Sequence, residues 1–248
     1  MKLHIINSNS KGNAYILQSS IGEALLIECG VNFQDIKKAL QFNLKQVVGC
    51  IVTHEHQDHC KSVREVMAAG INVWASELTH EAMQTTMHHR ACIIKPNEAA
   101  IGINNFKVRA FNVKHDAAEP LGYLINHIEC GTVLFLTDSY YCEYNFTGLN
   151  NIIIEANYCE TILDAKTAAG ANPKFLRDRV IQSHMSLQTC KTTLQAYDLS
   201  QVQNIVLIHL SDGNSDEKRF KREVEEVTGK RVFVAHHNQI IDFNKTAF

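Results

Sequence analysis

Thr53-His54-Glu55-His56-Gln57-Asp58-His59 sets four potential metal ligands, His54, His56, Asp58 and His59, within six residues, directly after the apolar run Val47–Val52. In an extended segment alternate side chains share a face, so His54 and His56 can address one ion. Asp58 and His59 fall where a helix should begin, turned toward a neighbouring position. A solvated histidine-rich loop is the bland alternative. Such a loop has no reason to stand at a strand end with an aspartate interleaved.

Four side chains are too few for two ions, and further ligand types stand at later strand ends. His115 closes the apolar segment that starts at Phe106, Asp138 follows Thr132–Thr137, and His209 follows Asn204–Ile208. One edge of a β-sandwich would gather all of them.

Working outward, period-two patterns predict strands at Leu3–Ile6, Tyr15–Gln18, Ala24–Glu28, Val47–Val52 and Val73–Ala75. More follow at Phe106–Val113, Gly122–Ile128, Thr132–Thr137, Asn151–Glu155, Asn204–Leu210, Val232–Ala235 and Gln239–Phe243. Helical spacing predicts Phe33–Phe42, Asp58–Ala69 with Gly70 as its cap, Glu77–His88, Leu187–Tyr197 and Asp216–Thr228. Strands with late helices, twice over, read as an α/β protein built as a four-layer αββα sandwich. The absence of a linker or composition shift makes residues 1–248 one domain.

The chain has 248 residues, 45% of them apolar, enough for a sizeable core. No apolar run reaches the ~18 residues of a membrane span. The start, Met1-Lys2-Leu3-His4-Ile5-Ile6-Asn7-Ser8, turns polar too early for a secretory signal. The eight cysteines show no CxxC pairing and read as buried thiols in a reducing compartment, so the expected location is the cytoplasm. A net charge of −2 gives no basic footprint for nucleic acid, but a metal cluster would supply positive charge locally. His88-His89 and His236-His237 have no partner pattern, and Cys60 is read as packing.

This ligand set resembles the signature motifs of metallo-β-lactamase-fold hydrolases over nearly the whole chain, from Ser8–Asn13 to His209. The resemblance implies that His54, His56 and His115 hold one metal, that Asp58, His59 and His209 hold a second, and that Asp138 bridges them. Imidazole-rich ligation favours zinc, with manganese the alternative at an aspartate-containing dinuclear site.

The run Ser183-His184-Met185-Ser186 lies before a helix that leads to the His209 strand. It is read either as a helix N-cap loop with Ser186 the cap, or as functional. In the second reading it is similar to phosphodiesterase members such as ribonuclease Z, where the earlier histidine assists the leaving group. Glu155 then matches the acidic residue that orients His184, and Asp58 is placed to orient the attacking water. Only 22 residues separate His115 from Asp138, leaving no room for the tRNA-gripping arm of ribonuclease Z. His59 beside Asp58 argues against a true β-lactamase.

The segments Ser8–Asn13, Val113–Tyr123 and His209–Asn214 are most similar to the small YycJ/WalJ group of metal-dependent nucleases. This chain departs from it in an extra Lys11 and in Ser183-His184-Met185-Ser186-Leu187. The resemblance implies a dinuclear phosphodiesterase, nuclease-like toward DNA rather than RNA, or acting on a small phosphodiester. Lys11, Arg177 and Arg179 are candidates for phosphate contacts. A glyoxalase II-type thioesterase or other small-ester hydrolase is the alternative, and which of His184 and His209 belongs to the metal set separates the two. A non-catalytic metal-binding scaffold is a third reading, disfavoured by the complete ligand set.

Overall fold

A computed structural model describes residues 1–170 and 173–246. The first half of the chain forms β1 (Lys2–Asn9), β2 (Gly12–Gln18), β3 (Ala24–Ile27), α1 (Phe33–Ala39), β4 (Val47–Ile51), α2 (Gln57–Cys60), α3 (Val63–Ala68), β5 (Val73–Ala75), α4 (Glu77–Ala82) and β6 (Ala91–Ile93). The second half forms β7 (Ile101–Ile103), β8 (Phe106–Asn112), β9 (Leu121–His127), β10 (Gly131–Leu136), β11 (Leu149–Glu155), α5 (Glu160–Ala168), α6 (Lys174–Ser183), α7 (Leu187–Ala196), β12 (Asn204–Ile208), α8 (Glu217–Thr228), β13 (Arg231–Val234) and β14 (Gln239–Asp242).

Two seven-stranded sheets result, ordered β14-β1-β2-β3-β4-β5-β6 and β13-β12-β11-β10-β9-β8-β7. Read from β14 in one and from β7 in the other, both run through three antiparallel pairings and then three parallel ones. The last strand, β14, crosses back to complete the first sheet.

The four layers follow from strand alternation. Tyr15, Leu17, Leu25 and Ile27 of the first sheet meet Val133, Phe135, Tyr123 and Val206 of the second in one inner core. The residues between them point outward: Ile16, Leu26 and Cys50 pack under Ile36, Val66 and Met67 of α1 and α3. On the far side Leu134, Ile152 and Leu207 pack under Leu187, Leu194, Phe220 and Val224 of α7 and α8. Strands buried on both faces need apolar residues at every position, which is why Leu134-Phe135-Leu136 and Ile152-Ile153-Ile154 read as unbroken runs.

The site owes its place to strand direction. β1, β3 and β4 point the same way in the first sheet, and β8, β10, β11 and β12 do so in the second. Their carboxyl ends therefore share one edge, where ligand-bearing loops of such sheets gather.

Three expectations from sequence need correction. The helix expected over Asp58–Ala69 is broken between α2 and α3, because the Ser62 amide leaves the helical ladder to donate to the Cys29 carbonyl at 2.9 Å, where the Ser62 hydroxyl also binds. The helix expected to reach His88 stops at Ala82, with Gln84 at φ 56°. Helices α5 and α6 were not anticipated. Among the described residues no helix is long and apolar enough to cross a membrane.

Candidate metal centre

Glu28 follows β3, His54 follows β4, Asp138 follows β10, Glu155 ends β11 and His209 follows β12. Glu28, Asp138 and His209 hold φ of 62°, 45° and 55°, a left-handed conformation that non-glycine residues keep only where their surroundings fix it. Gly30 has a different task. A Cβ there would lie 1.7 Å from the Asp58 carbonyl oxygen, so only glycine lets the loop after β3 lie against α2, which carries Asp58 and His59.

Asp138, buried but lining the cavity floor, stands between two candidate ligand sets. One comprises His54, His56 and His115, the other Asp58, His59 and His209, and in each the donor atoms lie within 4.8 Å of one another and of Asp138. His56 Nδ1 lies 3.1 Å from His54 Nε2 and 3.2 Å from His115 Nε2. Asp138 Oδ2 is 3.7 Å from His54 Nε2, 3.5 Å from His115 Nε2 and 3.3 Å from His59 Nε2. On the other side, His209 Nε2 lies 3.3 Å from Asp58 Oδ2 and 3.7 Å from Asp138 Oδ1.

Except at His56, the other nitrogen of each inward-facing imidazole faces a polar partner. His54 Nδ1 meets Thr53 Oγ1 at 2.9 Å, and His115 Nδ1 meets the Ser183 carbonyl at 2.8 Å. His59 Nδ1 lies 3.5 Å from the fully buried Glu28 carboxylate, which also accepts the Thr53 amide at 3.2 Å. His209 Nδ1 has Asn157 Nδ2 at 3.0 Å and Glu155 Oε1 at 3.5 Å. Such outer partners fix ring orientation at metal centres.

The donor chemistry fits divalent cations. Two imidazoles can share one proton, but three ring nitrogens and a carboxylate oxygen converge only around an atom that accepts their lone pairs. The charge balance agrees. Burial works against protonation of His59 and His209, yet Asp138 and neighbouring carboxylates hold His59 well above the ordinary imidazole range and His209 at about 10. Burial likewise opposes the Asp58 and Asp138 carboxylates, but the imidazoles of His59 and His209 hold both well below theirs. So many buried carboxylates call for positive charge at this point.

His184 belongs to neither set but joins Asp138, Glu155 and His209 in a third group whose donor atoms also lie within 4.8 Å of one another. Its Nδ1 lies 2.7 Å from Glu155 Oε1, while Glu155 Oε2 accepts the amides of Ser139 at 3.1 Å and Met185 at 3.2 Å. Burial lowers the affinity of His184 for its proton, but Glu155 reverses this and leaves the ring above the ordinary range. Its ring stacks on His209 with centroids 5.2 Å apart. Ser186 does cap α7, accepting the Thr189 amide at 3.1 Å, so the two readings of this loop are compatible.

A cavity of about 250 Å³ opens over His56, Asp58, His115, Asp138, His184 and His209, with α6 as one wall. Of the three basic residues singled out from sequence, Arg179 lines it. Arg177 turns away to Asp164, 2.7 Å, and Asp178, 3.1 Å. Lys11 is exposed and lies 3.6 Å from Asp212. Glu28 and Asn157 have no candidate role in the sequence, whereas Asn13, the end of the Ser8–Asn13 segment, brings its amide within 3.3 Å of Asp58 and His59. Glu28 carried a readable signal, a strand-end acid like Asp138.

Residues 24–210 match the family described as "Beta-lactamase superfamily domain". The chain is 25% identical over 251 residues to exodeoxyribonuclease YycJ of Bacillus anthracis, covering 94% of this chain and 92% of the relative. Among solved structures, the metallo-β-lactamase fold protein YhfI of Bacillus subtilis aligns with a TM-score of 0.74 at 16% identity, covering 97% of this chain and 99% of YhfI. The short form of human tRNase Z aligns with a TM-score of 0.66 at 15% identity, covering 98% and 99%.

Proposed function

Because the chain belongs to the β-lactamase superfamily and is a metal-dependent hydrolase of it, we propose that it is a phosphodiesterase cutting nucleic acid, as a DNA exonuclease. In this reading His54, His56 and His115 hold one divalent ion, Asp58, His59 and His209 the other, and Asp138 both. Zinc suits the imidazole-rich set, with manganese the alternative. When bound, such ions supply Lewis-acid stabilisation of phosphoryl oxygens and lower the pKa of water.

One observation carries the reading: His184 and His209, neighbours over the same cavity, turn to different partners. His209 Nε2 faces Asp58 and Asp138, whereas His184 is held by Glu155 at the edge of the same cavity. A thioesterase of glyoxalase II type would place its last metal histidine nearer His184 and leave His209 idle. Here His184, with Nδ1 fixed by Glu155, keeps Nε2 to donate a proton to the departing sugar oxygen, a leaving group too basic to depart unaided. Asp58 orients the attacking water, and Arg179 holds a phosphate oxygen of the strand. Similarity to a protein named an exodeoxyribonuclease supports DNA over RNA. The cytoplasm, where eight cysteines persist as thiols, is its place in this reading.

A substrate panel on zinc- and manganese-loaded protein tests this: 5′-phosphorylated DNA, RNA of the same sequence, bis-(p-nitrophenyl) phosphate and a glutathione thioester. Phosphodiester turnover that disappears in Asp138→Asn is the expected result. Thioester turnover without phosphodiester turnover would overturn it.

A further inference from the structure

Helix α6 contributes almost nothing to the core. Of its ten residues only Ser183 is buried, and Phe175 is 75% exposed and Leu176 40% exposed. Exposed apolar side chains on a helix that covers a reaction site call for a partner other than the protein's own interior.

The helix presents two neighbouring stripes. Leu176, Val180 and Ser183, at i, i+4 and i+7, face the metal-site cavity. Phe175, Asp178 and Gln182, at i, i+3 and i+7, face a second, wider groove of about 920 Å³. Arg179 lines both spaces, as do His115, Asp116 and Ser183, so the groove runs directly into the metal centre. Its other wall carries Tyr140, 44% exposed, two residues after Asp138.

Two exposed aromatic rings therefore line one groove that ends on the metal ligands, with an arginine at the junction. Asp178 in that groove is neutralised by Arg177, whereas Arg179 has no acidic partner within 4.0 Å among the described residues. Flat apolar faces beside an unpaired guanidinium match an unpaired nucleic-acid strand, whose bases stack on aromatic rings while its phosphates meet the cation. A duplex keeps its base faces covered and cannot use these rings.

Resting on the phosphodiesterase reading above, we infer that this groove receives an unpaired DNA strand, with Tyr140 and Phe175 stacking on its bases and Arg179 holding the backbone at the entrance to the metal centre.

The test uses the full-length, metal-loaded protein and three variants, Phe175→Ala, Tyr140→Ala and the conservative Phe175→Trp. Binding is read by fluorescence anisotropy with hydrolysis-resistant phosphorothioate single-stranded DNA, so it does not depend on turnover. Each alanine variant is expected to raise Kd about tenfold, within the range for loss of one stacked base. Phe175→Trp should retain binding, and an abasic strand of equal length should bind all the variants alike. In kinetics, the kcat/KM ratio of the oligonucleotide to bis-(p-nitrophenyl) phosphate should fall about tenfold in the alanine variants. Unchanged Kd, or an equal loss on the abasic strand, would overturn the stacking role, and tighter binding of RNA of the same sequence would overturn the assignment to DNA. Aromatic-dependent binding without any phosphodiester turnover would sustain the groove and count against the hydrolytic reading alone.

Discussion

His184 Nδ1 stands 2.7 Å from Glu155 Oε1, on a carboxylate with no solvent exposure whose other oxygen is taken by two backbone amides. A surface ion pair contributes little to positioning. A buried acceptor fixed on both sides holds the ring in one orientation and stabilises its protonated form.

The first prediction follows from that geometry. His184→Ala should lower kcat on an oligonucleotide about 10²–10⁴-fold, the usual worth of general-acid assistance. The loss should be far smaller on bis-(p-nitrophenyl) phosphate, because nitrophenolate departs without a proton. Glu155→Gln should fall between the unsubstituted protein and His184→Ala on the oligonucleotide. An equal loss on the two substrates would mean that His184 acts through the fold or the metals and not on the leaving group.

Glu28 supplies the second. It is fully buried, it lies 3.5 Å from His59 Nδ1, and it also accepts the Thr53 amide. Burial raises its pKa, and the imidazole of His59 works in the opposite direction. Outer partners of this kind typically carry 10–100-fold in metal affinity, so Glu28→Gln should lose about that much, read by chelator competition for zinc. Retained affinity would assign Glu28 to folding alone.

What the sequence made legible follows the range of the interactions. His54 to His59 could be read because the ligands are local, and Asp138 because it ends an unmistakable apolar strand. Glu28 ends an apolar strand as Asp138 does, but its role appears only once β3 pairs in parallel with β4 and brings the loop after β3 against α2. Helix α6 escaped because ten residues that bury only Ser183 carry no core-facing stripe to detect. Without that helix, Arg177 and Arg179 were indistinguishable.

A third prediction concerns pH. His80 is on the buried face of α4, its Nδ1 2.8 Å from Thr85 Oγ1 and its Nε2 3.1 Å from the Cys92 carbonyl. Burial lowers its pKa below the ordinary 6.5, and the carbonyl contact only partly offsets this. With the folded pKa depressed, the unfolded chain takes up the proton first. The stability this group confers is therefore present above pH 6.5 and is lost as pH falls through the folded-state pKa. Between pH 7 and pH 5 the unsubstituted protein should lose more Tm than His80→Gln at the same metal loading. Comparing the two curves cancels titration of the metal-site imidazoles, and parallel curves would refute the assignment.

The last prediction separates two arginines that sequence alone could not. Residues two apart on a helix point about 200° from each other. Arg179 thus faces the metal-site cavity while Arg177 pairs with Asp164 and Asp178 at the surface. Arg177 only offsets the exposed Asp164 and Asp178 carboxylates, so Arg177→Ala should raise KM for DNA by a smaller factor than Arg179→Ala. A charge-assisted contact to phosphate is stronger, and Arg179→Ala should raise KM by about 10–100-fold. The effect should shrink as salt rises, because screening weakens the same contact in the unsubstituted protein. If Arg177→Ala instead produced the larger, salt-dependent rise, the strand would run over the outer side of α6 and not along the groove between α6 and Tyr140.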